Sequence, residues 1–130
     1  MSGRVVLDTS IVIAHFRNDT LVSQRLLDAS LLLLPVTALG ELYTGAFRKQ
    51  HNRDKALETV HDFTAFVQIL RVDQDTARHY AELRSQLIAK GRPIPDNDLW
   101  IAAAAVQYNL PLANRDAHFD ELDGLQQQKW

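Results

Sequence analysis

Four acidic residues that are distant in sequence each stand beside a short apolar run. They are Asp8, Glu41, Asp98 and Asp116. Asp8 directly follows the run at 5–7, and Asp116 comes soon after the run at 110–113. Such residues converge only if the runs are neighbouring parallel strands, whose carboxyl ends share one edge of a sheet. Because like charges packed together are unfavourable without a cation, the pattern indicates a metal site.

The composition is that of one globular unit. The chain has 130 residues, of which 46% are hydrophobic, so we expect a single domain over residues 1–130. The absence of cysteine excludes disulfides and thiolate metal sites, which agrees with a cytoplasmic location. Asp8 interrupts the first apolar stretch, so no signal peptide is expected. No run of about 18 apolar residues is present, so we also expect no membrane span.

The net charge of −2 does not by itself indicate a nucleic-acid partner. This net charge is misleading if the four acidic residues are clustered around a metal ion. The other 12 acidic residues then face 14 lysines and arginines, which leaves the remaining surface slightly basic. The charge is therefore compatible with an RNA substrate, although it does not predict one.

Strand-like and helix-like segments alternate along the chain. Strands are predicted at residues 4–7, 31–34, 67–72 and 111–113, the first two of them buried, with an edge strand in the tail ending at Trp130. Helices are predicted at residues 11–16, 19–28, 37–47, 54–66, 76–89 and 95–108, the first capped by Ser10. This alternation predicts an α/β fold of three layers, α/β/α, with a short, mostly parallel central sheet.

Several residues in or near these segments allow further predictions. Gly40 and Gly45 interrupt a helical segment, which suggests that another backbone approaches them closely. Four aromatic residues are expected in the core: Phe63, Phe66, Tyr80 and Trp100. His118 is near the predicted site in sequence, but a surface or turn role is the more natural interpretation.

Each acidic residue also has an ordinary structural interpretation. Asp8 precedes a helix and suits an N-cap, although Ser10 could serve as the cap and leave Asp8 free. Glu41 could face solvent or pair with Arg48. Asp98 could complement a helix N-terminus, and Asp116 could cap a turn at 117–119. These interpretations leave unexplained why four acids coincide at strand and helix junctions.

A site of carboxylate oxygens suits Mg²⁺ or Mn²⁺. Such an ion can activate a water molecule, hold a phosphate oxygen and stabilise a leaving alkoxide. Three polar neighbours, Thr9, Ser10 and Asn114, could orient the ligands or bind phosphate, or serve only as turn residues. The basic segment at 48–55 could follow an RNA backbone, and an ordinary solvated loop is an equally good interpretation.

Several segments in order resemble PIN-domain ribonucleases, and most of all the VapC-type toxins of bacterial toxin–antitoxin pairs. They are Val-Val-Leu-Asp-Thr-Ser at 5–10, Gly-Glu-Leu-Tyr-Thr-Gly at 40–45, Gly-Arg-Pro-Ile-Pro-Asp-Asn-Asp-Leu-Trp-Ile-Ala-Ala at 91–103, and Asn-Arg-Asp-Ala-His-Phe at 114–119. The resemblance covers essentially the whole chain. Asn114 departs from it, since many relatives have Thr or Ser at that position.

The resemblance implies a PIN-like fold and catalytic roles for the four acids, with Asp8, Asp98 and Asp116 as metal ligands. Asp96 matches an acidic position of some members and is a secondary candidate. It further implies endoribonuclease activity with Mg²⁺ or Mn²⁺, a homodimer and inhibition by a cognate antitoxin protein. Two alternatives remain at this point: a phosphatase or phosphotransferase that uses Asp8 as nucleophile, and a non-enzymatic interaction module.

Overall fold

The computed structural model describes residues 2–130, with side chains from residue 3 onward. Its strands are β1 (Ser2–Leu7), β2 (Ala29–Pro35), β3 (Gln68–Leu70), β4 (Leu112–Asn114) and β5 (Gln127–Lys129). Its α-helices are α1 (Thr9–Phe16), α2 (Thr20–Asp28), α3 (Val36–Phe47), α4 (Arg53–Phe63), α5 (Gln74–Lys90) and α6 (Asp96–Gln107). Short 3₁₀ helices at Thr64–Phe66 and Ala117–Glu121 complete the chain.

The five strands form one sheet in the order β3-β2-β1-β4-β5, and the strand pairs are parallel. The chain moves outward from β1 through β2 to β3, and then crosses back to β4 and β5 on the other side. With right-handed crossovers, this reversal places α1–α4 on one face of the sheet and α5–α6 on the other. The predicted three-layer α/β/α fold is confirmed. The point of reversal lies between β1 and β4, where open parallel sheets bind ligands.

Burial explains which segments form the centre of the molecule. Val5, Val6 and Leu7 of β1 are at most 1% exposed, as expected for a strand covered by helices on both faces. The segment Ile101–Ala105 of α6 is also buried, and its alanines let this helix pack closely. The apolar stretch therefore belongs to a central helix, as its sequence predicts. Within residues 2–130, no helix is long and apolar enough to cross a membrane.

Local signals shift some element boundaries from those predicted. The helix expected over 54–66 ends at Phe63 and continues as one 3₁₀ turn, which leaves Phe66 74% exposed. The prediction that Phe66 belongs to the core is therefore wrong. Asp73 and Thr76 form a capping box that starts α5 at Gln74, two residues earlier than the apolar spacing indicates.

Gly40 and Gly45 are not explained by packing within the chain. Both lie in α3 and are exposed, and a Cβ atom built at either position meets nothing within 4 Å. The close backbone approach expected from the sequence does not occur between described residues of this chain. Each glycine therefore lowers the stability of α3 without an internal packing gain to offset it.

We expect Gly40→Ala and Gly45→Ala each to raise the free energy of unfolding by about 0.5–1 kcal/mol. The added methyl groups meet open space, and alanine restricts the unfolded chain more than glycine does. Urea unfolding followed by circular dichroism measures the change. Gly91→Ala is the opposite control, because Gly91 has φ +65° and alanine there should be destabilising. A loss of stability at Gly40 or Gly45 would contradict this explanation.

Candidate metal and active site

Asp8 is the buried member of the site, at 3% exposure. It directly follows β1 and is the N-cap of α1, where Oδ2 accepts hydrogen bonds from the Ser10 backbone N–H (3.2 Å) and hydroxyl (2.5 Å). The expectation that Ser10 would cap α1 and leave Asp8 free is therefore wrong. Both bonds engage one carboxylate oxygen, so capping and ligand binding need not compete. Burial, as the largest effect, raises the pKa of Asp8 despite these bonds.

Glu41 extends from the middle of α3 and is held by two neighbouring residues. Thr9 Oγ1 donates a hydrogen bond of 2.8 Å to Glu41 Oε1, and Asn97 Nδ2 donates to the same oxygen. Asn97 also contacts the backbone carbonyl of Thr37 at 3.4 Å. The described residues include no ion pair between Glu41 and Arg48. Glu41 is thus tied to the start of α1 and the start of α6.

Asp98 lies in the first turn of α6, and its side chain is 13% exposed. Its pKa is raised from 3.8 to about 6, mainly because burial disfavours the charged carboxylate. The hydrogen bond with His118 acts against this shift. The negative charges of the other three acids add to the shift, in the order Asp8, Asp116 and Glu41. The four acids therefore share one electrostatic environment.

Asp116 is positioned by the end of β4 and by the C-terminal strand. Its backbone N–H donates to Asn114 Oδ1 (3.1 Å), and its Oδ1 accepts from the backbone N–H of His118 (2.9 Å). Asp116 thus caps the 3₁₀ turn as the sequence indicates. Asn114 is fully buried, and its Oδ1 also accepts from Lys129 Nζ at 2.9 Å. Strand β5 therefore helps to fix the loop that carries Asp116.

His118 lies closer to the acids than its sequence position indicates. It is an exposed residue of the 3₁₀ turn, in the location that the sequence indicates, and its Nδ1 is also 3.1 Å from both Asp98 Oδ2 and Asp116 Oδ1. The sequence offers one signal, namely that His118 follows Asp116 by two residues within the same turn. Asn97 and Lys129 were also missed. Their contacts depend on tertiary packing, which residue spacing does not reveal.

Asp96 does not join the other acids. It lies on the surface of α6, where Tyr80 donates a hydrogen bond to Asp96 Oδ1 and Arg84 forms an ion pair with it at 3.4 Å. The Tyr80 ring in turn stacks on Trp100, with 4.0 Å between ring centroids. These contacts give Asp96 a structural explanation that needs no metal ion.

The donor set suits a hard divalent cation. Asp98, Asp116 and His118 offer ligand atoms within 4.8 Å of one another, and Asp8 and Glu41 couple electrostatically to Asp98. Carboxylate oxygens are the ligands that Mg²⁺ and Mn²⁺ prefer. The raised pKa of Asp98 agrees with this set, because a buried carboxylate whose charge is disfavoured by burial and by neighbouring acids would be stabilised by a bound cation.

Comparisons with known proteins agree with this geometry. Residues 5–125 match the PIN domain family. Ribonuclease VapC5 of Mycobacterium tuberculosis is 38% identical over 128 residues, covering 92% of this chain and 87% of the relative. Ribonuclease VapC1 of Haemophilus influenzae (strain R2866) is 32% identical over 130 residues, covering 96% of each. The structure of VapBC-5, a toxin–antitoxin member from M. tuberculosis, is similar with a TM-score of 0.78, 33% identity and 98% coverage of both chains.

The chain therefore belongs to the PIN-domain family, among its VapC ribonucleases. Membership of this family argues against the two alternatives that the sequence leaves open, a phosphatase or phosphotransferase and a non-enzymatic interaction module. PIN ribonucleases are generally dependent on divalent metal ions, and the acidic cluster between β1 and β4 is a site that could bind one.

Proposed function

We propose that this chain is a metal-dependent endoribonuclease, the toxin of a toxin–antitoxin pair, and that it hydrolyses RNA phosphodiester bonds. The observation that supports it most strongly is the grouping of ligand atoms of Asp98, Asp116 and His118 within 4.8 Å of one another at the reversal point of the sheet, with Asp8 and Glu41 close enough to act on the charge of Asp98. The purified chain should cut a labelled pool of structured cellular RNAs with Mn²⁺ or Mg²⁺ and leave it intact with EDTA. Uncut RNA in every metal condition would contradict the proposal.

Asp8, Asp98 and Asp116 would hold the Mg²⁺ or Mn²⁺ ion, and Glu41 would complete the shell or position a water molecule. The chemistry such an ion supplies is a nucleophilic water, neutralisation of a phosphate oxygen and stabilisation of the leaving 3′-oxygen. The products would then carry 3′-hydroxyl and 5′-phosphate ends. Asp96 is left out of this set because Arg84 and Tyr80 account for it.

The polar neighbours would act by fixing the carboxylates. Ser10 holds Asp8 Oδ2, Thr9 holds Glu41 Oε1, and Asn114 holds the backbone of Asp116. Groups that orient charged ligands before the substrate arrives reduce the reorganisation that the reaction would otherwise require. We therefore assign Thr9, Ser10 and Asn114 positioning roles.

Thr9→Val tests this positioning. Valine keeps the shape of the buried threonine but removes the hydroxyl that donates to Glu41. We expect kcat for RNA cleavage to fall about 10- to 100-fold with the fold retained. Single-turnover cleavage measures the effect, and Thr9→Ser, which keeps the hydroxyl, is the control that should retain most of the rate. Equal rates for Thr9→Val and the parent would contradict the assignment.

The proposal includes partners. The likeness to VapBC-5 supports an antitoxin protein that binds and inhibits this chain, and we propose a homodimer as its state without the antitoxin. An RNA substrate also fits a location in the cytoplasm. Light scattering of the purified chain measures its mass, and the mass of a monomer at micromolar concentration would contradict the homodimer.

A further inference from the structure

Two cavities with basic residues in their walls open directly beside Glu41. Each has a volume of about 490 Å³, and both include Glu41 and Gly45 in their walls, so they adjoin along α3. One part lies against α1 and α4, and the other lies along α3 towards Asn97. The floor of the first part is apolar and includes Phe16, Leu42 and Val60. We call this feature the α3 groove.

Four cations line the α3 groove: Arg17, Arg48, Lys49 and Lys55. Among the residues whose side chains the structure describes, none of the four has an acidic partner within 4.0 Å. The cations elsewhere around the acidic cluster differ, because Arg115 pairs with Asp19 and Lys129 with Asp120. The free positive charge near the site is therefore concentrated on one side, next to Glu41.

The two glycines of α3 also face this groove. Gly45 borders both parts and Gly40 borders the second part, and neither position would bring a Cβ atom against the chain itself. A helix face without side chains at these positions lets an extended ligand lie close to the helix backbone. The glycines, unexplained by the fold, thus coincide with the unpaired cations.

We propose that the α3 groove binds the RNA strand that leads to the cleavage site, with its phosphates on the four cations and an unpaired base on the apolar floor. This inference rests on the proposed function and specifies how that site holds its substrate. A phosphodiester that reaches Glu41 must continue along a neighbouring surface, and this groove begins at Glu41. An unpartnered basic rim suits a phosphate backbone, and an apolar floor suits the face of a base.

The test measures RNA binding apart from cleavage. In the Asp98→Asn background, which should bind RNA without cutting it, the affinity for a fluorescently labelled single-stranded RNA pool is titrated against NaCl. We expect the pair Arg48→Gln and Lys49→Gln to weaken binding about 10-fold and to reduce the salt slope by about 0.7 for each cation. Arg4→Gln is the matched control: it removes an exposed, unpaired cation from the early part of β1, away from Asp8, and should change neither quantity.

A second variant adds bulk without removing charge. Gly45→Gln places a side chain in the groove without a clash in the chain, so we expect the fold to be retained and KM for RNA cleavage to rise several-fold with little change in kcat. A circular dichroism spectrum like that of the parent, with a melting temperature equal to or above the parent's, checks the fold.

The outcomes separate the two proposals. If the parent chain cuts RNA while the groove variants keep its salt slope and KM, the inference is overturned and the groove belongs to a protein partner instead. If the parent chain cuts no RNA under any metal condition, the proposed function fails. Weaker binding with a smaller slope in the groove variants, and not in Arg4→Gln, supports the inference.

Discussion

Replacing Asp98 with Asn should lower the rate of RNA cleavage by roughly 100-fold or more, since a lost metal ligand costs more than a lost supporting contact. Asn preserves the size of the side chain and can still accept a hydrogen bond from His118, so the fold should be retained. The rate is measured at saturating Mn²⁺ with labelled RNA, and circular dichroism verifies the fold.

Asp96→Asn is the matched control for this experiment. It makes the same chemical change two residues earlier in the same helix, at a carboxylate already engaged by Arg84 and Tyr80. We expect it to keep nearly the full rate. If Asp96→Asn were inactive and Asp98→Asn active, the ligand set proposed here would be wrong.

The same Asp98→Asn change should stabilise the metal-free protein at neutral pH. The folded-state pKa of Asp98, about 6, is above its ordinary value of 3.8, so the folded state binds more protons than the unfolded state between these values. Stability from this group is therefore present at low pH and is lost as pH rises from about 4 through about 6. At pH 7.5, Asn removes the unfavourable charge, and we expect a gain of about 1–3 kcal/mol.

The pH dependence of this gain is its distinguishing feature. Urea unfolding in EDTA should give nearly equal stabilities for the parent and Asp98→Asn at pH 4, and a difference that grows towards pH 7. The comparison cancels groups such as Asp19 and Asp73, whose lowered pKa values change stability in the opposite direction. An Asp98→Asn protein less stable than the parent at pH 7.5 would contradict the conclusion that the charge of Asp98 is unfavourable in the metal-free protein.

A bound metal ion should make the parent more stable than Asp98→Asn. For the parent, a metal at a hundredfold excess over its Kd adds about 2.7 kcal/mol, whereas Asp98→Asn should gain much less. Thermal unfolding with and without Mn²⁺ at pH 7.5 measures both proteins. This opposite response would tie the unfavourable charge and the metal to one site.

The positions of the acids could be predicted because they follow from the architecture. Strands that alternate with helices form a parallel sheet, and residues just beyond strand ends then meet at one edge. This argument alone predicts the positions of Asp8 and Asp116, since they come after β1 and β4. The structure brings Glu41 and Asp98 to the same environment from two helices.

What the sequence did not reveal depends on side-chain choice and on tertiary contacts. Asp8 and Ser10 were equivalent candidates for the cap of α1, and only the hydrogen bonds to Asp8 Oδ2 distinguish them. His118 reaches Asp98 because the 3₁₀ turn after β4 packs against α6, a contact that residue spacing does not encode. The sequence predicts Phe66 in the core because its helical pattern extends through residues 64–66, whereas this segment turns outward.

We propose that the acidic cluster holds a metal ion that drives hydrolysis of RNA. The most direct test is to map the ends of the RNA fragments that the purified chain produces in Mn²⁺, beside the same reaction in EDTA. We predict 5′-phosphate and 3′-hydroxyl ends, and no fragments in EDTA. Fragments with 2′,3′-cyclic phosphate ends would show attack by the RNA's own 2′-hydroxyl, and equal cutting in EDTA would show that no divalent metal ion is needed. Either result would contradict the role proposed for the metal.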